Sequence, residues 1–367
     1  SMPDAFWTAY QALREANEQD PQYFRTNTYL HLIRNFHRYS WLLIYLFGSS
    51  PAACKCFAQG RKHNLSDHPN GGIYLPNATC LRMGNLGYKS EAQESLFVCY
   101  NELDTYIECL HGAIHTSYPR YEELGQKANG DYQQINTNLL QLENEFYSTI
   151  RPKPSLKSGE RPLDALRSSG IEYIEVRALD LNPYLPLGID VEQIRFLDTF
   201  LLHCLLAESP VCDRREFFEV SSNISKVLGR GRDPGLMLEE EGQPRGMREW
   251  ATTLVADMEH AASLLENITG GSNYQHSLQQ QQAKLEDARL TPSGRMLADM
   301  EQNGQSFFEL ALTLSRQHRD SLRNGGLDAA TLERLQEASA ASLAEQRKIE
   351  AADDISFDTF LEQWNAR

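Results

Sequence analysis

Long hydrophobic runs are missing from this sequence. The clearest, Trp41 to Phe47, is far short of the ~20 apolar residues that a membrane helix needs, and the N-terminal Ser-Met-Pro-Asp-Ala-Phe-Trp has neither the charged region nor the cleavage site of a signal peptide. Basic residues are also scarce: 35 Lys and Arg against 50 Asp and Glu leave a net charge of -15. That balance argues against a general affinity for nucleic acid or for anionic membrane, so any phosphate must meet a local basic cluster. Cysteine is sparse and odd in number, with seven residues in 367, mostly single in apolar surroundings. This is not the framework of a secreted disulfide scaffold, and it points to a reducing, cytoplasmic setting.

Other absences narrow the chemistry. No Walker-type phosphate loop is present; Gly229 to Gly235 (GRGRDPG) lacks the lysine and hydroxyl of that motif and reads as a turn. Cys54-Lys55-Cys56, with His63 and His68 downstream, has no second cysteine pair to complete a zinc site. No local signature singles out a Ser-His-Asp or Cys-His arrangement. The glutamine run Gln279 to Gln282 and the acidic triplet Glu239 to Glu241 read as solvated surface.

With 41% hydrophobic and 23% charged residues, the chain is of ordinary globular composition, sufficient for one large domain or two smaller ones. The pattern divides near Gly188. Before it, helical stripes (Tyr29, Ile33, Phe36, Leu43, Phe47; Leu103, Ile107, Leu110) alternate with segments that read as strands or extended chain: the opening segment, Gly72 to Met83 and Gln134 to Lys153. After it the pattern is helical: Ile194, Leu197, Leu201 and Leu205 form one stripe, and Trp250, Leu254, Met258, Ala261 and Leu265 another, closed by Gly270. Thr291-Pro292 reads as a cap followed by proline at the first helical position. The expectation is an α+β chain, with a catalytic region over 1–189 and a helical region packing on it over 190–367.

The segment Ser168 to Asp190 (SSGIEYIEVRALDLNPYLPLGID) carries the most information. Counting by twos, Ile174, Val176 and Ala178 face one way, and Tyr173, Glu175 and Arg177 the other. Glu175 and Arg177 then stand about 6.8 Å apart on one face, near enough to serve one ligand. In Gln134 to Lys153, Leu142 and Phe146 oppose Glu143, Glu145 and Tyr147 in the same manner, and a basic loop follows with Arg151, Lys153, Lys157 and Arg161. Periodicity alone leaves two readings open: a solvated sheet laced with cross-strand ion pairs, or a site. A carboxylate suits a hard cation such as magnesium, a guanidinium suits a phosphate or carboxylate, and a nucleotide site needs both.

These residues sit in longer stretches. GIEYIEVRALDLNPYLPLGID, YLPNATCLRMGNLGY (Tyr74 to Tyr88), QINTNLLQLENEFYSTIRPK and WLLIYLFGSSPAAC (Trp41 to Cys54) closely resemble glutamate-cysteine ligase of the γ-proteobacterial type, with the likeness running to EAADDISFDTFLEQW near the C-terminus. The resemblance implies a glutamine-synthetase-like catalytic fold with a mainly antiparallel sheet. It also implies ATP-dependent ligation of the γ-carboxyl of glutamate to cysteine through a γ-glutamyl phosphate, with magnesium, or manganese in its place, and no nucleic-acid or membrane partner.

Carried over motif by motif, the resemblance implies that Glu175 is a magnesium ligand, that Arg177 meets the transferred phosphate, that Arg82 and Tyr88 hold amino-acid carboxylates, and that Tyr147 lies at the cysteine subsite. Charge and position suggest Arg151 and Lys153 for the nucleotide phosphates. The family also carries roughly 150 residues, about a domain's worth, ahead of the point matching Ser1, with further metal-binding carboxylates. Without them Glu175 alone is expected to hold a metal nucleotide poorly. Two rivals share the pattern: a related carboxylate-amine ligase acting on other amino acids, and a non-catalytic fragment or partner subunit.

Overall fold

The computed structural model describes residues 12, 15, 19–84, 86, 87, 90–157 and 159–365. Its axis is helix α1 (Pro21–Phe47). The Asp20 side chain caps this helix by accepting from the Tyr23 amide at 3.0 Å, with proline at the first helical position. The apolar run ends it: Trp41 to Leu46 are wholly buried, so the last turns are enclosed on every side. At Gly48 a Cβ would lie 2.5 Å from the Ile44 carbonyl oxygen and 2.8 Å from that of Thr79, so only glycine lets the chain turn off the helix there.

The architecture is α+β, and helix outweighs strand in both halves. Among the described residues the named strands pair only in short antiparallel ribbons: β1 (Ala52–Ala53) and β2 (Ser66–Asp67) flank β3 (Ile73–Tyr74), β4 (Lys127–Ala128) pairs with β5 (Asp131–Tyr132), β6 (Ile150–Lys153) with β7 (Tyr173–Val176), and β8 (Met237–Glu240) with β9 (Gln243–Gly246). Helix α2 (Leu103–His115) precedes the β6–β7 ribbon in sequence, α3 (Pro162–Ser169) lies between its two strands, and α4 (Val191–Leu206) and α5 (Arg214–Arg230) pack against α1.

Several strand expectations are corrected. Within Gly72 to Met83 only Ile73–Tyr74 is strand, and Leu81–Met83 is a 3₁₀ turn. Within Gln134 to Lys153 only the last four residues are strand, and Glu143–Glu145 is a 3₁₀ turn. The reason is local competition. Asn136 Oδ1 takes the Asn138 amide at 3.0 Å, Gln141 Oε1 the Ile135 amide at 3.0 Å, and Glu145 Oε2 the Gln141 amide at 2.6 Å, so side chains satisfy groups a ladder would use. The opening segment lies mostly outside the described residues.

The helical stripes shift too. In α4 the fully buried row is Phe196, Phe200 and Cys204, while Ile194 is 45% exposed. Phe196 and Phe200 meet Phe47 and Phe36 of α1 edge-on, each pair at 5.5 Å, and the rings bury more apolar area than the aliphatic row. The stripe from Trp250 is two helices, α6 (Met247–Asp257) and α7 (Glu259–Thr269), hinged at buried Met258. Thr291 caps the helix beginning at Pro292 as its sequence indicated, accepting from the Gly294 amide at 3.1 Å. Gln281, expected at the surface, is 2% exposed in Asn273–Glu286.

Glu143 is not on a solvent face. It is buried and meets Arg161 at 2.9 Å, with side-chain exposures of 4% and 10%. Removing one partner of such a pair strands the other charge, so Glu143→Gln is expected to lower unfolding free energy by about 3 kcal/mol, read from urea denaturation.

On α1 the His37 ring stacks on Phe217 at 5.3 Å, and burial pushes its pKa down to about 4, with Arg38 adding to the fall and Glu216 opposing it. The unfolded chain protonates this histidine near pH 6.5 while the folded chain does not until about pH 4. The unfolded state therefore binds more protons in that window, and stability falls as pH drops through it, by a contribution of order 1–2 kcal/mol. His37→Leu is expected to lose less stability than the parent between pH 7 and pH 5, measured by denaturation at both.

Candidate active site

The β6–β7 register builds the site. Arg151 lies opposite Glu175, Lys153 opposite Tyr173, Pro152 opposite Ile174 and Ile150 opposite Val176. Residues directly across an antiparallel ladder share a face. The Arg177 amide continues the ladder by donating to the Thr149 carbonyl at 2.8 Å. One face therefore carries Thr149, Arg151, Lys153, Tyr173, Glu175 and Arg177, and the other, with Ile150 and Ala178 buried, joins the core.

The ribbon is held from below by α1. Gly170, at φ +68°, ends α3 where a Cβ would lie 2.3 Å from Thr26 Oγ1. That hydroxyl accepts the Ile171 amide at 3.1 Å, and Arg25 Nε donates to the Ile171 carbonyl at 3.0 Å. The chain enters β7 already docked, which fixes the direction of Glu175 and Arg177.

Polar atoms on this face are left unsatisfied. Thr149 Oγ1, Arg151 Nε and Glu175 Oε2 are buried without a hydrogen-bond partner, and the Lys153 ammonium stands 3.5 Å from that same Glu175 oxygen. Buried orphans of this kind are rare and mark an absent partner such as an ion or ligand. The Arg177 guanidinium lies 5.5 Å from the centre of the Tyr147 ring and donates no hydrogen bond to another described residue. The Tyr147 hydroxyl donates to the Arg177 carbonyl at 3.1 Å, and Tyr147 also lines a cavity of about 120 Å³ with Thr149, Met83, Gln93 and His37.

Arg151 is 6% exposed and its fork donates to the carbonyls of Asn144, at 2.9 Å, and Phe146. Burial and then the like charge of Arg177 hold its pKa below the usual arginine value, with Glu175 opposing. Its positive charge reaches the face, but its hydrogen bonds go to the loop behind.

Arg82 reaches the same neighbourhood from the Leu81–Met83 turn. Its Nε pairs with Asp180 and its Nη2 donates to the Leu179 carbonyl at 2.8 Å. Asp180 is buried and also accepts from the Ser49 amide and the Ser50 hydroxyl, each at 2.8 Å. Tyr88 lies outside the described residues. The structure thus gathers Glu175, Arg177, Tyr147, Arg151 and Lys153 about one ribbon face and tethers Arg82 at its end. Among the described residues no group of three or more His, Cys, Asp and Glu side chains is placed to hold a metal, and Glu175 has no second carboxylate grouped with it.

Residues 1–227 match the family model for glutamate-cysteine ligase. A protein named glutamate–cysteine ligase from Pseudomonas entomophila is 44% identical over 366 residues, covering all of this chain and 69% of the relative. The chain belongs to the glutamate-cysteine ligase family. An Alcanivorax borkumensis protein of the same name is also 44% identical, over 98% of this chain and 70% of its own length. Among solved structures, glutamate–cysteine ligase from Francisella tularensis in complex with AMP superposes with a TM-score of 0.87 at 28% identity, covering 97% of this chain and 70% of that one. A bifunctional glutathione synthetase from Pasteurella multocida shares the fold, with a TM-score of 0.61 at 21% identity over 83% of this chain and 33% of that one.

Within this ligase-family chain, sequence reasoning overlooked Asp180, Ser49 and Ser50. A signal existed. By period two Asp180 extends the apolar row Ile174, Val176 and Ala178, and a carboxylate on a buried row demands donors. Neither serine carried any mark of its role, because the contact spans 130 positions or more along the chain.

Proposed function

We propose that this chain catalyses ATP-dependent ligation of the γ-carboxyl of L-glutamate to the amine of L-cysteine, giving γ-glutamylcysteine for glutathione synthesis in a cytoplasmic setting. The observation that carries the proposal is a single ribbon face holding Glu175, whose buried Oε2 accepts no hydrogen bond and stands 3.5 Å from the Lys153 ammonium, and Arg177, whose guanidinium lies over the Tyr147 ring, in a chain of this family. The γ-phosphoryl group of ATP passes to the glutamate γ-carboxylate, whose oxygen forms the new bond to phosphorus as ADP leaves. The cysteine amine then attacks the acyl carbon of the γ-glutamyl phosphate, phosphate departs, and the amine gives up its proton.

The residues divide the work by charge. Arg177 faces the transferred phosphoryl group, where its positive charge counters negative charge that grows in the transition state, and the ring of Tyr147 keeps its plane in place. Arg151 and Lys153 add positive potential toward the nucleotide phosphates, Arg151 from its buried position and Lys153 from beside Glu175. Arg82, aimed by Asp180, and Tyr88 hold substrate carboxylates, and Tyr147 borders the cysteine subsite.

Glu175 fits magnesium, or manganese, as one oxygen ligand, because its buried Oε2 accepts no hydrogen bond and meets the Lys153 ammonium only at 3.5 Å. When bound, the metal supplies charge neutralisation for the phosphates. One carboxylate would not complete an octahedral shell, so the other oxygen ligands would have to come from phosphate groups, water or further carboxylates.

The test is ADP release that requires glutamate and cysteine together, measured on this chain with and without the N-terminal segment of a Pseudomonas relative added. Cysteine-dependent release is expected, rising on addition of the segment and abolished by EDTA. Release that stays independent of cysteine in the supplemented protein would remove the proposal.

A further inference from the structure

The seven cysteines divide sharply by environment. Cys80, Cys99 and Cys204 are buried, and Cys109 and Cys212 are partly covered. Burial pushes the thiols of Cys80 and Cys212 up to about 12 and that of Cys204 well above the usual value. A thiol kept protonated is a poor nucleophile.

Cys54 and Cys56 differ in each respect. Both are exposed. Cys54 stands in extended backbone at the start of a single 3₁₀ turn, Lys55–Ala58, and Cys56 lies within it, so that two side chains one residue apart converge. The Cys56 thiol donates to Cys54 Sγ at 2.8 Å, within about 1 Å of an S–S bond's length. The Lys55 ammonium between them is engaged with Asp67 at 2.8 Å.

We propose that Cys54 and Cys56 form a thiol–disulfide exchange site whose substrates are low-molecular-weight disulfides, with Cys54 as the attacking sulfur and Cys56 as the resolving one. The Cys54 thiolate attacks one sulfur of the disulfide RSSR, forming Cys54–S–S–R and expelling RS⁻. Cys56 loses its proton to water and attacks the Cys54 sulfur, closing the Cys54–Cys56 bond and expelling the second RS⁻. The chain is oxidised by two electrons, RSSR is reduced to two thiols, and the two thiol protons end on the released thiolates. The hydrogen bond from Cys56 lowers the Cys54 pKa while Cys54 raises that of Cys56, which supports this division of roles.

The test uses glutathione disulfide with the full chain, acid quenching and peptide mass spectrometry. Wild type is expected to yield a Cys54–Cys56 linked peptide that dithiothreitol removes. Cys56→Ser is expected to accumulate a mixed disulfide on Cys54, at least about tenfold over any other cysteine. In Cys54→Ser, modification of Cys56 is expected to be about tenfold slower. Iodoacetamide labelling of wild type, which needs no variant, is expected to reach these two residues before the other five. No linked peptide in wild type, or adducts spread equally over Cys109 and Cys212, overturns the proposal. None of these readouts uses ligase turnover, so this inference and the ligase reading fail separately.

Discussion

Replacing Glu175 with glutamine is expected to slow cysteine-dependent ADP release by about 10²- to 10³-fold, with the thermal midpoint unchanged to within about 2 °C. The two halves of that expectation have separate causes. Glutamine keeps the shape of the side chain and its place opposite Arg151, and the ion pair it removes, to Lys153 at 3.5 Å with Glu175 40% exposed, is worth little to stability. What goes is the charge on Oε2, the oxygen that no described donor satisfies. If that oxygen meets the metal nucleotide, the loss appears in turnover and in the magnesium concentration for half-maximal rate. Equal turnover in the parent and Glu175→Gln, at saturating magnesium and below it, would remove Glu175 from the metal site.

Asp180→Asn is expected to act in the opposite manner, with the large effect on stability. Asp180 is the common acceptor for Arg82, the Ser49 amide and the Ser50 hydroxyl, at 6% exposure. An asparagine must turn its NH₂ group toward one of those donors and leaves the arginine without its counter-charge, a loss of about 3–5 kcal/mol in urea denaturation. Ser50→Ala removes a single hydrogen bond from the same acceptor and is expected to cost about 1 kcal/mol. On the proposed role of Arg82, the half-saturating glutamate concentration rises in both variants, more in Asp180→Asn, while the rate at saturation changes less. A purely structural Asp180 would lower stability and leave that concentration where it was.

The two variants probe two levels of the same neighbourhood. Glu175 and Arg177 face outward from a ribbon whose underside is core, and they are available to a ligand because the ladder has already satisfied their backbone. Asp180 lies beyond the end of β7, where the row that had carried apolar side chains meets the turn after α1 and the Leu81–Met83 turn. Arg82 is therefore oriented by a residue almost one hundred positions away, and the site owes its geometry as much to that junction as to the ribbon.

The sequence by itself determined what depends on neighbours along the chain. Period-two alternation from Tyr173 to Ala178 placed Glu175 and Arg177 on one face and the apolar row beneath, because successive side chains of any strand must alternate. The Thr291-Pro292 cap was legible for the same local reason. Only the tertiary structure decided what depends on distant partners. It turned Glu143 inward to Arg161, spent the fork of Arg151 on carbonyls, chose Phe196 and Phe200 over Ile194 as the buried row, and tied Arg82 to Asp180. Each of those outcomes rests on which groups meet after the chain has closed on itself, and a buried charge or ring settles where its partner is, whatever the local pattern allows.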